Sequence, residues 1–499
     1  MAWSFGDSFD LYAVPGDMIN GYWDSAAFGA QVSFVAGRFA GSQAASIVVT
    51  GSLALTKSSN VNDAVHHFVV AFRQTAAIGG TNLGTFFQLQ DGTTAQCTVI
   101  FRTDGAILLT SGSFGGATLA TYTGAFPVVN TWYAFEIEVV INNTTGAFRV
   151  RKNGNSVNDF DSGATLNTRG GTANNYANKL VINQGTTVNA QQLDDLFWQS
   201  GAATGAWLGD IRCYARMPVT DQSVMFSKSP TSFFAQGTAA TGSNSSYGAN
   251  SITACAVVAP TTGTVSSFSF NFNSALTGHA KMALYDSTGA GGGPGALMGA
   301  QSIELTNPGP GVVTFSVTGG PTVQRGVTYY VAIWSDASTS GNGGNFPYRS
   351  LAASYTTNFP STMAGFSSGT QNGIGSNGMN VTPFNAGCVN EAQQDGATSY
   401  VFDSNPGDAD FYGVASIAST PAQVIATTTR AYMQKSDAGT RTAAVQLKSG
   451  ATTVASPTLV LTTSGFQWAW RTDLVDPNTG AAWTAAAVNN AQIGPKTIA

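Results

Sequence analysis

Charge is what this chain has least of. Asp, Glu, Lys and Arg make up 9% of its 499 residues, against a usual share of about 25%, while the hydrophobic share is an ordinary 43%. Disorder needs low hydrophobicity together with high charge, so a chain folded nearly throughout is expected. The formal net charge is −5 and no run of Lys or Arg occurs, which removes the electrostatic footprint of nucleic-acid binding. No apolar run approaches the roughly 18 residues of a membrane span, so no membrane insertion is expected. The opening MAWSFGDSFDLYAVPGD has neither the basic nor the apolar stretch of a secretion signal. The expectation is a protein that starts at or near Met1 and is made in a cytoplasm.

Metal and cofactor chemistry is equally thinly supplied. The only histidines are His66, His67 and His279, and the four cysteines, Cys97, Cys213, Cys255 and Cys388, lie far apart without a CxxC spacing. A zinc site is therefore not expected, and buried thiols are. Whether Cys255 and Cys388, which flank a distinct central stretch, pair with each other stays open. The chain has no Gly-x-Ser-x-Gly elbow, HExxH pair, Walker loop or dinucleotide fingerprint, so no cofactor and no enzymatic activity are expected. The glycine-rich GAGGGPGALMG follows a strand-like ALYDS and lacks a Lys-Ser/Thr end, which marks a hairpin loop.

What the chain does have is glycine, 58 residues, and phenylalanine, 30 residues, a balance that suits short strands joined by tight turns. From about Ser33 to Leu208 the apolar residues alternate. In AQCTVIFRTDGAILLTSG, Cys97, Val99 and Phe101 alternate with polar neighbours before Asp104-Gly105, a pair expected to form a type I′ hairpin turn. In NTWYAFEIEVVINNTTGAFRVRKNGN, Tyr133, Phe135, Ile137, Val139 and Ile141 share one face and Glu136 and Glu138 the other. Phe148 and Val150 return to the apolar face, which places Arg149 and Arg151 where they can pair with the acids across strands.

These two stretches, followed by KLVINQGTTVNAQQLDDLFW, resemble the concanavalin A-like, laminin G-like jelly roll. A second resemblance rests on GDSFDLYA with GYWDS, on LGDIRCYARMP, on VNEAQQDGATSYVFDSNPGDADFYGV and on the terminal DPNTGAAWTAAAVNNAQIGPK. Together these are similar to structural proteins of tailed bacteriophages that begin with the lectin-like fold. Between them stands a stretch with its own strand pattern: GTVSSFSFNFN, AKMALYDSTGAGGGPG, VVTFSVTGG and QRGVTYYVAIWSD. It resembles small carbohydrate-binding β-sandwiches. The expected fold class is all-β, with a jelly roll over 1–228, an inserted sandwich over 229–387 and a C-terminal β-sandwich over 388–499. In the last, Phe466, Trp468 and Trp470 share a face, and a helical turn is expected near Thr484–Asn489.

Three groups of residues raise the question of chemistry. Some glucanases of the concanavalin A-like fold carry Glu-x-Asp-x-x-Glu, but here the third acid position is Ile141. Glu136 and Glu138 are therefore read as an exposed, ion-paired face, and no residue is assigned a catalytic role. Asp194 and Asp195 are adjacent in a strand, which should send their side chains to opposite faces, one toward backbone N–H groups and one toward solvent. Structural calcium is the metal that lectin-like jelly rolls would imply for such acids. In the insert, Tyr330 and Trp334 on the outer face of their strand, with Asn342, Asn345, Phe346, Tyr348 and Arg349 nearby, are the candidate glycan-binding residues.

The expectation that follows is a structural component of a tailed-phage particle, in tail, fibre or surface decoration, that displays a glycan-binding module. Its partners would be other virion proteins, copies of itself as a homo-oligomer, and host surface glycan. The alternatives are a host-surface adhesin or receptor-binding protein and, third, a polysaccharide depolymerase.

Overall fold

The computed structural model of the chain describes residues 3–24, 32–47, 55–184, 191–229, 232–236, 245–341, 345–372, 377–391, 393, 395–396, 398–417 and 421–499. The fold is all-β, as the alternation predicts: among the described residues the elements are strands apart from short 3-10 turns and one helix, Ala485–Asn490. That helix begins where expected, because the Thr484 side chain accepts the Ala487 N–H at 3.0 Å and caps it. Among the described residues no helix is long and apolar enough to cross a membrane.

The chain divides into two compact units. One comprises Met1–Met217, Glu391–Asp395 and Asn405–Ala499; the other comprises Pro218–Asn390 and Gly396–Ser404. The stretch 388–499 is thus shared, with Asn405–Ala499 in the same unit as Met1–Met217.

In the first unit two antiparallel sheets face each other. The larger runs Phe160–Leu166, Gly146–Lys152, Trp132–Val140, Val65–Gln74, Gln191–Ser200, Gln43–Ile47, Val32–Ala36, with Trp3–Asp7 also on Gln191–Ser200. The other runs Leu55–Asp63, Ala177–Gln184, Leu83–Asp91, Thr94–Arg102, Ile107–Ser111, Thr118–Tyr122. The predicted inward residues build the core between them: Cys97, Val99, Phe101, Phe135, Ile137, Val139, Phe148 and Val150 are all buried there. Asn153 and Gly154 both have positive φ, +54° and +73°, as a type I′ turn requires. At Asp104-Gly105 only the glycine is left-handed, at φ +85°, and Gly105 N–H bonds to Arg102 O while Arg102 N–H bonds to Ala106 O. The hairpin therefore closes through a longer turn with a glycine bulge in place of the two-residue type I′ turn.

The chain ends meet in this unit. The antiparallel strand pair Thr427–Met433/Gln467–Asp473 brings Trp468 and Trp470 onto the aromatic cluster of Phe5, Tyr12, Tyr22 and Trp23. A further sheet orders Phe411–Val414, Gln492–Thr497, Thr442–Ser449 and Thr452–Ala455.

The second unit has two larger sheets and the short pair Ser227–Ser229/Tyr400–Phe402. Gly263–Phe272 lies centrally in one sheet, and Thr328–Ser335 lies between Ser251–Val258 and His279–Tyr285 in the other. Tyr329, Val331 and Ile333 enter the core between the sheets, together with Phe268, Phe270 and Met282. Cys97, Cys255 and Cys388 are buried.

Candidate functional site

The acid doublet sits on a bulge. Asp194 pairs with Ala71 and Phe197 with Val69, so one extra residue is taken up between them, and Asp195 occupies the left-handed region at φ +49°. The regular alternation that should separate the two side chains is therefore broken. Neither meets solvent: Asp194 is 1% and Asp195 2% exposed, which corrects the expectation that one would face water. Asp194 accepts the N–H groups of Arg38 at 2.7 Å and of Asp195 at 2.8 Å. Asp195 Oδ1 accepts the Cys213 N–H at 2.7 Å, while its Oδ2 is buried without a hydrogen bond and has only Arg38 Nη1 at 3.7 Å. Burial pushes both carboxyls up, Asp194 to about 6 and Asp195 to about 7, the latter raised further by Asp194 itself. Arg38 is held in turn by Asp210 through two bonds, of 2.6 and 2.5 Å.

Glu136 and Glu138 face Arg151 and Arg149 across the strand pair, the acid-to-arginine pairing the sequence predicts. They are not an exposed face, however. Glu138 is fully buried; it binds Arg149 and the Gly205 N–H and stands 3.3 Å from His67 Nε2. Glu136 accepts the N–H groups of Leu208 and Gly209. Trp207 covers Arg151, its ring 4.4 Å from the guanidinium carbon. The cause is the segment around LGDIRCYARMP, which lies over this side of the sheet as a strap. Its Arg216 donates to Ala415 O at 2.5 Å, Val488 O at 2.9 Å and Asn489 Oδ1 at 3.2 Å. Desolvation raises Glu136 above the usual carboxylate range and lowers His67 below the usual imidazole one. Every oxygen of both acids is thus committed to an N–H or a cation of the same unit. Among the described residues no group of three or more His, Cys, Asp or Glu side chains is arranged to hold a metal ion.

The aromatic residues proposed from the insert are not a platform. Tyr330 is 7% and Trp334 2% exposed, because the chain after Ala352 folds back over them and packs Phe359 and Met363 against Ala283 and Tyr285. Trp334 Nε1–H donates to Ala353 O at 3.0 Å and Tyr330 OH to Gly292 O at 2.9 Å. The cation over the Trp334 ring is internal: Lys281 Nζ lies 5.0 Å from the ring centre of Trp334, 4.8 Å from Tyr355 and 5.7 Å from Phe359. Tyr348 is half-buried against the core between the sheets. Asn345 and Phe346 lie in the strand Asn345–Ala352, their side chains outside the described residues, as is Asn342. The sequence pattern placed Tyr330 and Trp334 correctly on the face away from the core between the sheets, but could not show that a distant loop covers that face.

A different place in the first unit is open. Ile19, Asn20 and Gly21 on one side and Thr462, Ser464, Gly465, Phe466 and Gln467 on the other line a cavity of about 330 Å³. Its walls are fixed: Asn20 Nδ2 donates to Tyr432 OH at 2.7 Å, Trp468 N–H donates to Asn20 O, and Trp470 Nε1 donates to Gly21 O at 3.0 Å. The half-buried Phe466 stacks on Tyr432, ring centres 5.2 Å apart. Gly21 has φ +99°, and a Cβ there would stand 3.1 Å from Trp468 O, so only glycine forms this wall without strain. Sequence reasoning missed this cavity because its two sides come from opposite ends of the chain.

No family model matches the chain and no curated protein does. Solved structures similar to part of it include the galectin LEC-6 of Caenorhabditis elegans, at 15% identity over 30% of this chain and 91% of that one, TM-score 0.21. Domain 4 of AbnA, an extracellular arabinanase of Geobacillus stearothermophilus, in complex with arabinotriose, is 18% identical over 41% and 84%, TM-score 0.25. Arcelin-5, a lectin-like defence protein of Phaseolus vulgaris, is 10% identical over 41% and 99%, TM-score 0.24.

Proposed function

We propose that the chain is a non-catalytic structural component of a tailed-bacteriophage particle that displays a glycan-binding module. The observation that carries this reading concerns three of the segments behind the phage resemblance. GDSFDLYA with GYWD, LGDIRCYARM and the terminal stretch all lie in the first unit and are bonded into its architecture. Asp7 of the first accepts the Phe9 N–H at 3.0 Å, Tyr12 OH at 2.6 Å and Trp23 Nε1 at 2.8 Å. Asp195 holds the second, and Arg216 of the second holds the helix in the third. The residues that give the resemblance are therefore those that build one fold from the two ends of a long chain.

A depolymerase would need two carboxylates free to reach substrate. Glu136, Glu138 and Asp194 are buried and spent on N–H groups and arginines of the unit, and Asp195 is buried with one oxygen on the Cys213 N–H, so none of the four can reach a polysaccharide. The low charge fits a protein that makes its contacts within an assembly, alongside other virion proteins and copies of itself. The test is mass spectrometry of particles purified from a lysate of the phage that encodes the chain. Recovery in fixed ratio to the other virion proteins supports the reading; recovery only in the soluble fraction overturns it.

A further inference from the structure

We infer that the cavity between Ile19–Gly21 and Thr462–Gln467 binds one ring of a neutral saccharide. The inference rests on the glycan-binding part of the reading above and names the site for it. Three properties of the cavity select the ligand. First, the lining has no Asp, Glu, Lys, Arg or His, so nothing in it would neutralise a carboxylate, phosphate or ammonium. A uronic or sialic acid, a phosphate ester or a peptide terminus is therefore disfavoured, and an uncharged ring is not.

Second, the lining is amphipathic in the way a sugar is. Phe466 and Ile19 supply apolar surface for the C–H face of a pyranose, and Asn20, Gln467, Thr462 and Ser464 supply amide and hydroxyl groups for its hydroxyls. Gln467 Oε1 accepts the Thr462 N–H at 3.1 Å, which orients the amide and leaves its nitrogen to donate. Asn20 is oriented in the same way by Tyr432, its Nδ2 committed and its Oδ1 left to accept. A donor and an acceptor thus stand fixed on opposite walls. The volume of about 330 Å³ lies at the low end of the roughly 300–1,000 Å³ of small-molecule sites, room for a single ring.

Third, the walls are rigid before any ligand arrives. Trp468 Nε1–H is bonded to Asp17 O at 2.7 Å, and Tyr432 packs between Phe466 and Trp468, 5.2 and 4.6 Å from their ring centres. Little ordering is left for binding to oppose, which favours measurable affinity from a small contact.

The experiment uses the full chain and saturation-transfer difference NMR with the methyl glycosides of glucose, galactose, mannose, N-acetylglucosamine and N-acetylgalactosamine, and methyl glucuronide as the charged control. The expected result is transfer to at least one neutral glycoside and none to the glucuronide, with affinity unchanged between 50 and 500 mM salt. Gln467→Ala and Phe466→Ala should each weaken that affinity about tenfold or more. Because Phe466→Ala also removes a ring packed on Tyr432, Ser464→Trp serves as a second variant: Ser464 is exposed, and the bulky ring should block the cavity while the thermal unfolding midpoint stays that of the wild type. If the neutral glycosides bind wild type and Ser464→Trp equally, the site is elsewhere and only the cavity assignment fails. If no glycoside gives transfer to the wild-type chain, both the cavity and the glycan-binding reading fail.

Discussion

Asp7 and Arg430 come from opposite ends of the chain and lie 3.8 Å apart in the core of the first unit. The guanidinium donates to Tyr12 OH at 2.9 Å and lies 4.0 Å from the ring centre of Tyr22, so one buried cation ties the strand Thr427–Met433 to the opening segment. Removing one partner of a buried pair leaves the other uncompensated, at a cost of about 3–5 kcal/mol. Arg430→Met should lower stability by that amount in urea unfolding of the full chain. Adding Asp7→Asn to it should cost less than Asp7→Asn alone, with a coupling of about 0.5–3 kcal/mol; additive losses would show that the two residues act separately.

The bulge at Asp195 makes a pH prediction. Its carboxyl is raised from 3.8 to about 7 in the fold, so the native state holds a proton that the unfolded chain gives up. That contribution to stability is full below about pH 4 and is lost as pH rises through about 7. Asp195→Asn keeps an oxygen for the Cys213 N–H and removes the charge, and asparagine tolerates the left-handed backbone there. The variant should therefore be more stable than wild type at pH 8, with an advantage that shrinks as pH falls through 7 toward 4, read from thermal midpoints across that range.

His66 acts with the opposite sign. Burial lowers it to about 4, while Nε2 lies 2.9 Å from Asp63 O and Trp198 Nε1 donates to Nδ1 at 3.4 Å, contacts that suit a neutral ring. Its contribution is present above about pH 6.5 and is lost as pH falls toward 4. In the Asp195→Asn background stability should therefore rise with pH between 4 and 6.5 more steeply than in wild type.

Trp334 is a core residue with a cation of its own. Trp334→Ala should cost about 3–5 kcal/mol, whereas Lys281→Met, which keeps the apolar stem, should cost no more than about 2 kcal/mol. Urea unfolding followed by circular dichroism separates the two. A Trp334→Ala chain with wild-type stability would mean that the ring is dispensable and would return it to the list of ligand-binding candidates.

How much of this was legible before the structure depends on the distance over which each feature is decided. The hairpin from Trp132 to Lys152 was readable as far as the face shared by its acids and arginines, which the structure pairs as Glu138 with Arg149 and Glu136 with Arg151, because alternation and a turn are local. So were the helical turn after Thr484 and the placing of Tyr330 and Trp334 on the outer face of Thr328–Ser335. What failed in each case was the other side of a sheet. Glu136 and Glu138 are covered by Gly205 to Gly209, and Trp334 by Phe359, segments whose position no local pattern encodes. Asp195 failed for a different reason: a bulge adds one residue and reverses every side chain after it, and nothing in Leu-Asp-Asp-Leu marks where it falls. The cavity at Asn20 and Gln467 needed both chain ends at once.

The central claim is that this chain is part of a phage particle. Its most direct test is electron microscopy of intact particles of the encoding phage, labelled with gold-conjugated antibody raised against the full chain. The account predicts label at one fixed, repeated position on each particle. Unlabelled particles, with antibody that still recognises the purified protein and with the particles opened as well as intact, would contradict it.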